Sequence, residues 1–133
     1  MLNSVRLRDH MVTKPVRIKP NANLLEAVEL ITKHKISGLC VVDDDDRLVG
    51  ILSELDCLGG ILDATYNEAG VGIVREYMTS DNLVVAGIRD NIVELSQDML
   101  KQKHRRRPVI EDGKLVGQVT CRQLLIAVKN FRK

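Results

Sequence analysis

Residues 39–56 read Leu-Cys-Val-Val-Asp-Asp-Asp-Asp-Arg-Leu-Val-Gly-Ile-Leu-Ser-Glu-Leu-Asp, and residues 107–123 read Arg-Pro-Val-Ile-Glu-Asp-Gly-Lys-Leu-Val-Gly-Gln-Val-Thr-Cys-Arg-Gln. Each stretch runs from an apolar segment through an acidic turn to a second apolar segment containing Leu-Val-Gly. Each then reaches a hydroxyl residue, Ser53 or Thr120, where a helix can begin. Two apolar segments joined by a short polar turn predict a β-hairpin. The second stretch lies 67 residues after the first when Leu48-Val49-Gly50 is set over Leu115-Val116-Gly117.

Working outward from these hairpins, the correspondence continues. Leu7-Arg8-Asp9-His10-Met11 matches Val74-Arg75-Glu76-Tyr77-Met78 at an offset of 67, and Asn23-Leu24 matches Asn91-Ile92 at 68. An ordered return of this kind marks two copies of one unit. Each copy predicts a short first strand (Val16-Arg17-Ile18; Leu83-Val84-Val85) and a polar turn ending in a capping residue, Asn23 or Asp90/Asn91. Apolar residues at helical spacing follow, as in Leu24, Leu25, Ala27, Val28, Leu30 and Ile31. The hairpin and a last helix complete the unit, so its order is strand, helix, strand, strand, helix. Residues 7–66 form the first unit, 67–73 a linker and 74–130 the second. The stretch Gly59 to Gly72, with four glycines and Asn67, reads as the joint.

Composition narrows the function classes. The chain has 133 residues, 44% apolar and 29% charged, the balance of a soluble globular protein. No apolar run approaches the roughly 20 residues needed to span a bilayer. The start lacks the apolar core of a secretory signal, so a cytoplasmic address is expected. Tyr66, Tyr77 and Phe131 are the only aromatics, which leaves little for stacking bases. Cys40, Cys57 and Cys121 include no C-x-x-C pair, and the three histidines share no ligand spacing, so neither a disulfide framework nor a metal site is expected. Asp43 to Asp46 lack the glycine and distal Glu of a calcium loop and read as a solvated hairpin tip. Cys57 and Cys121 stand near helix starts, where a thiol pKa can be lowered, but no His and Asp/Asn partners accompany them for nucleophilic work. No enzymatic activity is expected.

Two motifs carry possible chemistry. Gly50-Ile51-Leu52-Ser53-Glu54-Leu55-Asp56 ends a strand and opens a helix, whose free N–H groups and dipole suit an anion. A carboxylate one turn in can accept both donors of a vicinal diol such as a ribose. The same Ser-x-x-Asp is also a capping box, and Thr120-x-x-Gln123 is its counterpart. The second motif is Lys101-Gln102-Lys103-His104-Arg105-Arg106-Arg107. The halves of the chain, residues 1–66 and 67–133, carry −2 and +4, and this run is where the excess lies. It reads as a solvated helix end, an anion site or, with few aromatics, a weaker nucleic-acid surface. Alternation along a strand requires some of its arginines to point inward.

With these residues in view, the chain resembles a pair of cystathionine-beta-synthase (CBS) domains, a Bateman module, from Leu7 to about Val128. The resemblance rests on the matched lead-ins at Arg8-Asp9-His10-Met11 and Arg75-Glu76-Tyr77-Met78-Thr79. It rests also on Ile36-Ser37-Gly38-Leu39-Cys40-Val41-Val42-Asp43, Arg107-Pro108-Val109-Ile110 and the two Leu-Val-Gly strands. Cys40 departs from the family, which often has Pro there. The resemblance implies an α+β fold of two β-α-β-β-α CBS units packed as a pseudo-twofold pair, commonly dimerised. It also implies an adenosine-containing ligand between the units. The family pattern Gly-h-h-Ser/Thr-x-x-Asp maps onto Gly50, Ser53 and Asp56, with Asp56 on the ribose. Adenine would lie against Ile51 and against Leu83 and Val84. Phosphates would meet His104, Arg105 and Arg106, with Arg122 adding to them and Ser37 a further candidate. The second cleft departs from the pattern: Gly117, Thr120 and Gln123 place an amide where the carboxylate belongs, so one competent and one weak site are expected.

The expected function is therefore regulatory, with AMP, ADP or ATP as ligand. Phosphate-facing arginines disfavour S-adenosylmethionine, whose sulfonium is positive. A homodimer is expected, together with a regulated protein the sequence does not identify. The rival reading is a ligand-independent dimerisation or protein-interaction module.

Overall fold

The computed structural model describes residues 4–131. Eleven elements follow in order: β1 (Val12–Thr13), β2 (Arg17–Ile18), α1 (Leu24–His34), β3 (Gly38–Val42), β4 (Leu48–Ser53), α2 (Glu54–Tyr66), β5 (Ala86–Gly87), α3 (Ile92–Gln102), β6 (Arg106–Glu111), β7 (Lys114–Thr120) and α4 (Cys121–Phe131). Short 3₁₀ turns at Leu7–Asp9 and Val74–Glu76 open the two repeats. The mixed α+β class and the twice-repeated strand, helix, hairpin, helix order agree with the sequence reading.

The described residues form two compact units, Val16–Leu83, and those up to Pro15 together with those from Val84 onward. In the Val16–Leu83 unit the strand order is β2-β3-β4, with β2 parallel and β4 antiparallel to β3. All five residues of β3 are buried, as a central strand covered on its faces requires. Its core joins Ile18, Leu24, Ala27, Ile31, Leu39, Val41, Leu52 and Cys57 to Val74. The other unit orders its strands β1-β7-β6-β5, around Ala86, Ile92, Leu95, Met99, Val109, Val119 and Leu7.

The lead-in segments are thus exchanged between repeats. Leu7 opens the first repeat, yet its N–H donates to the Asp90 carbonyl (3.1 Å), and the Ile92 N–H donates to the Val5 carbonyl (2.9 Å). Val74 opens the second repeat, yet its N–H donates to the Ala22 carbonyl (2.9 Å), and the Leu24 N–H donates to the Gly72 carbonyl (3.0 Å). These bonds use the donors that a helix start leaves unpaired.

Local chemistry explains the elements. Asn23 and Asn91 cap α1 and α3, accepting from Leu25 N–H (2.8 Å) and Val93 N–H (2.7 Å). The β6–β7 hairpin turns on Asp112 and Gly113, both at positive φ (52° and 79°), as a two-residue type I′ turn demands. The β3–β4 tip is stitched by Asp43, whose carboxylate accepts from Asp45 and Arg47 N–H, each at 2.9 Å. Those backbone donors hold its carboxyl below the ordinary range, the Arg47 bond most of all. Arg17 pairs with Asp46 and Lys19 with Asp44, so three of the four aspartates have protein partners.

Two sequence expectations require correction. Leu83-Val84-Val85 is not a strand; β5 is confined to Ala86–Gly87, the pair that meets Val109 and Ile110 of β6. An apolar run becomes a strand only where a partner edge is in reach. The joint also begins later than Gly59, because α2 continues to Tyr66. Gly60 serves packing there: a Cβ on it would stand 2.3 Å from Leu24 Cδ2 and 3.2 Å from the Tyr77 ring.

Candidate functional site

In the Val16–Leu83 unit, β4 runs into α2 at Ser53. The Ser53 Oγ accepts from Asp56 N–H (3.0 Å), and Asp56 Oδ2 accepts from Ser53 N–H (2.9 Å), a reciprocal capping box. The structural reading of Ser-x-x-Asp is therefore realised. It engages only Oδ2, and Asp56 Oδ1 has no protein partner among the described residues. Ser37 is brought beside this helix start, its carbonyl accepting from Glu54 N–H (3.0 Å). Ile51, half-buried, exchanges two backbone bonds with Thr79, each 2.9 Å. Leu83, half-buried, closes this unit.

The equivalent corner of the other unit contains the basic run. At the end of α3, Lys103 takes the left-handed conformation (φ 59°), and His104 N–H donates back to the Met99 carbonyl (2.9 Å). This ending aims the chain into β6. Cys121 N–H donates to the Arg105 carbonyl (3.0 Å), which brings the start of α4, and Arg122 in its first turn, to the basic run. Arg105 and Arg122 are exposed and Arg106 and His104 half-buried. Val84 is half-buried at the head of the segment leading to β5.

The capping corner here differs in one respect. Gln123 Oε1 accepts from Thr120 N–H (2.9 Å) and from the Thr120 hydroxyl (2.5 Å). A neutral amide therefore performs the capping task that Asp56 performs in the other repeat.

The three arginines have separate fates. Arg107 is only 3% exposed, and its Nη2 donates to Asp98 Oδ2 (2.8 Å) and to His104 Nδ1 (3.2 Å). Gln102 Nε2 donates to the same Asp98 oxygen (2.7 Å). The bond from Gln102, then that from Arg107, holds the Asp98 carboxyl below its ordinary range. Strand alternation called for an inward arginine, but sequence alone did not single out Arg107 or pair it with Asp98. A carboxylate on α3 nine residues before Arg107 was the available signal.

Because the folded Asp98 titrates lower than an unfolded aspartate, its contribution to stability is fully present above the unfolded value. It is lost as pH falls below about 4 and through the folded value. Acid unfolding of Asp98→Asn should accordingly be less steep than that of the wild type across this window. An unchanged acid limb in a pH series of thermal melts would remove Asp98 from the ion pair.

Cys57 takes the part of a small apolar filler. Although near a helix start, its thiol is pushed up, by burial first and then by the charges of Asp56 and Glu54. It is a core residue, 5% exposed.

Two α+β repeats, each with a helix N-terminus following a Gly-containing strand, define a tandem-repeat architecture. The CBS domain family matches residues 7–63 and again 74–130, and the chain belongs to that family. The chain is 28% identical to CBSX2 of Arabidopsis thaliana, solved in complex with AMP, with a TM-score of 0.85 over 98% of this chain and 100% of that one. It is 25% identical to the CBS domain pair of protein MJ0100, solved with 5′-methylthioadenosine and S-adenosyl-L-methionine, with a TM-score of 0.75 over 96% of this chain and 99% of that one. It is 33% identical to inosine-5′-monophosphate dehydrogenase of Aquifex aeolicus, over 86% of this chain and 23% of the dehydrogenase. The match thus spans less than a quarter of that enzyme. Among the described residues no helix is long and apolar enough to cross a membrane.

Proposed function

We propose that this chain is a non-catalytic, cytoplasmic regulatory CBS pair that senses an adenine nucleotide, AMP, ADP or ATP. The observation that carries the reading is the charge at Asp56. Gln123 achieves the same capping geometry without a charge, so capping does not require the carboxylate, and Asp56 Oδ1 is available to a ribose diol. The whole-length likeness to a CBS pair that holds AMP supports the adenosine class. In this proposal His104, Arg105, Arg106 and Arg122 take the phosphate, and Ser37, Ile51, Leu83 and Val84 contribute to the nucleoside. Cations so placed favour AMP, ADP or ATP over the sulfonium ligand held by the MJ0100 pair.

The regulatory output requires differential affinity: a ligand that binds two arrangements equally shifts neither. The proposal includes a homodimer that passes the signal to a partner protein. Supporting it, α2 exposes Leu55, Leu58, Leu62 and Tyr66, at 78%, 56%, 46% and 82%, along one helical stripe.

The test is a thermal-shift scan of nucleotide-free protein against AMP, ADP, ATP, S-adenosylmethionine and phosphate, followed by calorimetric titration. At 100-fold excess over Kd, a true ligand should stabilise by about 2.7 kcal/mol. A nucleotide that binds at about one per chain, where phosphate does not, is the expected result. A flat scan would overturn the sensor reading in favour of an interaction module.

A further inference from the structure

Arg107 is buried, charged and in contact with a residue of the proposed phosphate site, yet is itself turned to a carboxylate. Its Nη2 bridges Asp98 Oδ2 (2.8 Å) and His104 Nδ1 (3.2 Å), and its Nε is buried with no partner among the described residues. The pair is braced by Gln102 on Asp98 (2.7 Å) and by the backbone bond from His104 N–H to the Met99 carbonyl (2.9 Å). A guanidinium has only donors. The His104 nitrogen facing it must therefore be an acceptor, and the neutral ring must carry its proton on Nε2. That nitrogen has no protein partner among the described residues.

We propose that Arg107 is a positioning residue that holds His104 with Nδ1 as acceptor and Nε2–H as the single ring donor, offered to an anionic oxygen of the ligand. Identifying that oxygen as a nucleotide phosphate rests on the function proposed above; the ring state does not. Arg105 and Arg107 thus divide the work: the exposed guanidinium supplies charge, and the buried one sets the geometry of a neutral donor. A donor held in place loses less freedom on binding than a rotating one.

The experiment is a long-range proton–nitrogen NMR spectrum of the ¹⁵N-labelled full chain at a pH where the ring is neutral, with His104 assigned by its loss in His104→Gln. The expected spectrum shows the proton on Nε2 and a hydrogen-bonded Nδ1. In Arg107→Met the Nδ1 signal should move to that of an unbonded acceptor, and in Arg107→Lys it should remain bonded. A proton on Nδ1, or a ring signal indifferent to Arg107→Met, overturns the proposal. If Arg107→Met does not fold, the wild-type and Arg107→Lys spectra decide it.

AMP titration supplies the second readout. Arg107→Met should weaken AMP binding about tenfold, as His104→Ala should, and add nothing further in the double variant. Arg107→Lys should recover part of the loss. Fully additive losses would instead make Arg107 independent of His104 and overturn the proposal. Absence of binding of AMP, ADP and ATP to the wild type would overturn the nucleotide reading alone, since the ring spectrum is recorded without ligand.

Discussion

Asp56→Ala is expected to weaken AMP binding by about a hundredfold while costing about 1 kcal/mol of stability. Two different sets of bonds produce these two effects. Within the protein, the carboxylate accepts one backbone N–H from Ser53 at 2.9 Å, and losing a cap of this kind costs about 0.5–2 kcal/mol. Toward a ribose it offers a charged acceptor, and each such hydrogen bond is worth about 1.5–3 kcal/mol. Losing about 3 kcal/mol corresponds to roughly two factors of ten in Kd. Asp56→Asn sharpens the comparison: its amide oxygen can keep the cap, as Gln123 does toward Thr120 N–H, while the charge is gone. Its melting temperature should stay near wild type and its affinity should fall. Calorimetry showing unchanged AMP binding in both variants would reduce Asp56 to a cap.

Leu7→Ala is expected to destabilise the unit formed with residues from Val84 onward, by about 2–5 kcal/mol. Leu7 is fully buried, and its neighbours in the core are Ala86, Ile92, Leu95, Met99, Val109 and Val119. Truncation removes the transfer energy of the side chain and leaves a cavity that packed neighbours fill only partly. The effect should surface far from the mutation in sequence. Hydrogen exchange should show the amides of Val109 and Val119 losing protection, while those of Val41 and Leu52 keep theirs. Val74→Ala, in the core of the Val16–Leu83 unit, should give the opposite pattern. If Leu7→Ala instead exposes Val41 and Leu52, the exchange of lead-in segments is wrong.

The exchange also shows why the sequence repeat and the spatial unit differ. Leu7-Arg8-Asp9-His10-Met11 and Val74-Arg75-Glu76-Tyr77-Met78 are alike in local pattern, and each forms a 3₁₀ turn with a buried first residue. Pattern alone gives neither segment a preference for its own repeat. The choice is made by backbone donors and acceptors far away in the chain, at Asp90 and Ala22, and by which core the buried side chain completes.

The elements themselves were legible because they are encoded locally. Helical spacing from Leu24 to Ile31, asparagine caps at 23 and 91, and the Asp-Gly turn at 112–113 act over a few residues. Their reading needs no knowledge of the fold. Ser53 and Asp56 were legible for the same reason, since a capping box closes within one helical turn. Leu83 to Val85 misled because an apolar run records a tendency, whereas strand pairing needs an edge, and β6 offers one only at Ala86 and Gly87. Gly60 misled likewise: a glycine in sequence signals a joint, but here the close approach of Leu24 and Tyr77 requires the missing side chain. The arginine run marks the limit most clearly. Sequence determined that positive charge gathers before β6; only tertiary structure decided that Arg107 turns inward to Asp98 and His104 while Arg105 faces solvent. Charge is a property of the residue, whereas burial and partner depend on which helix and strand meet.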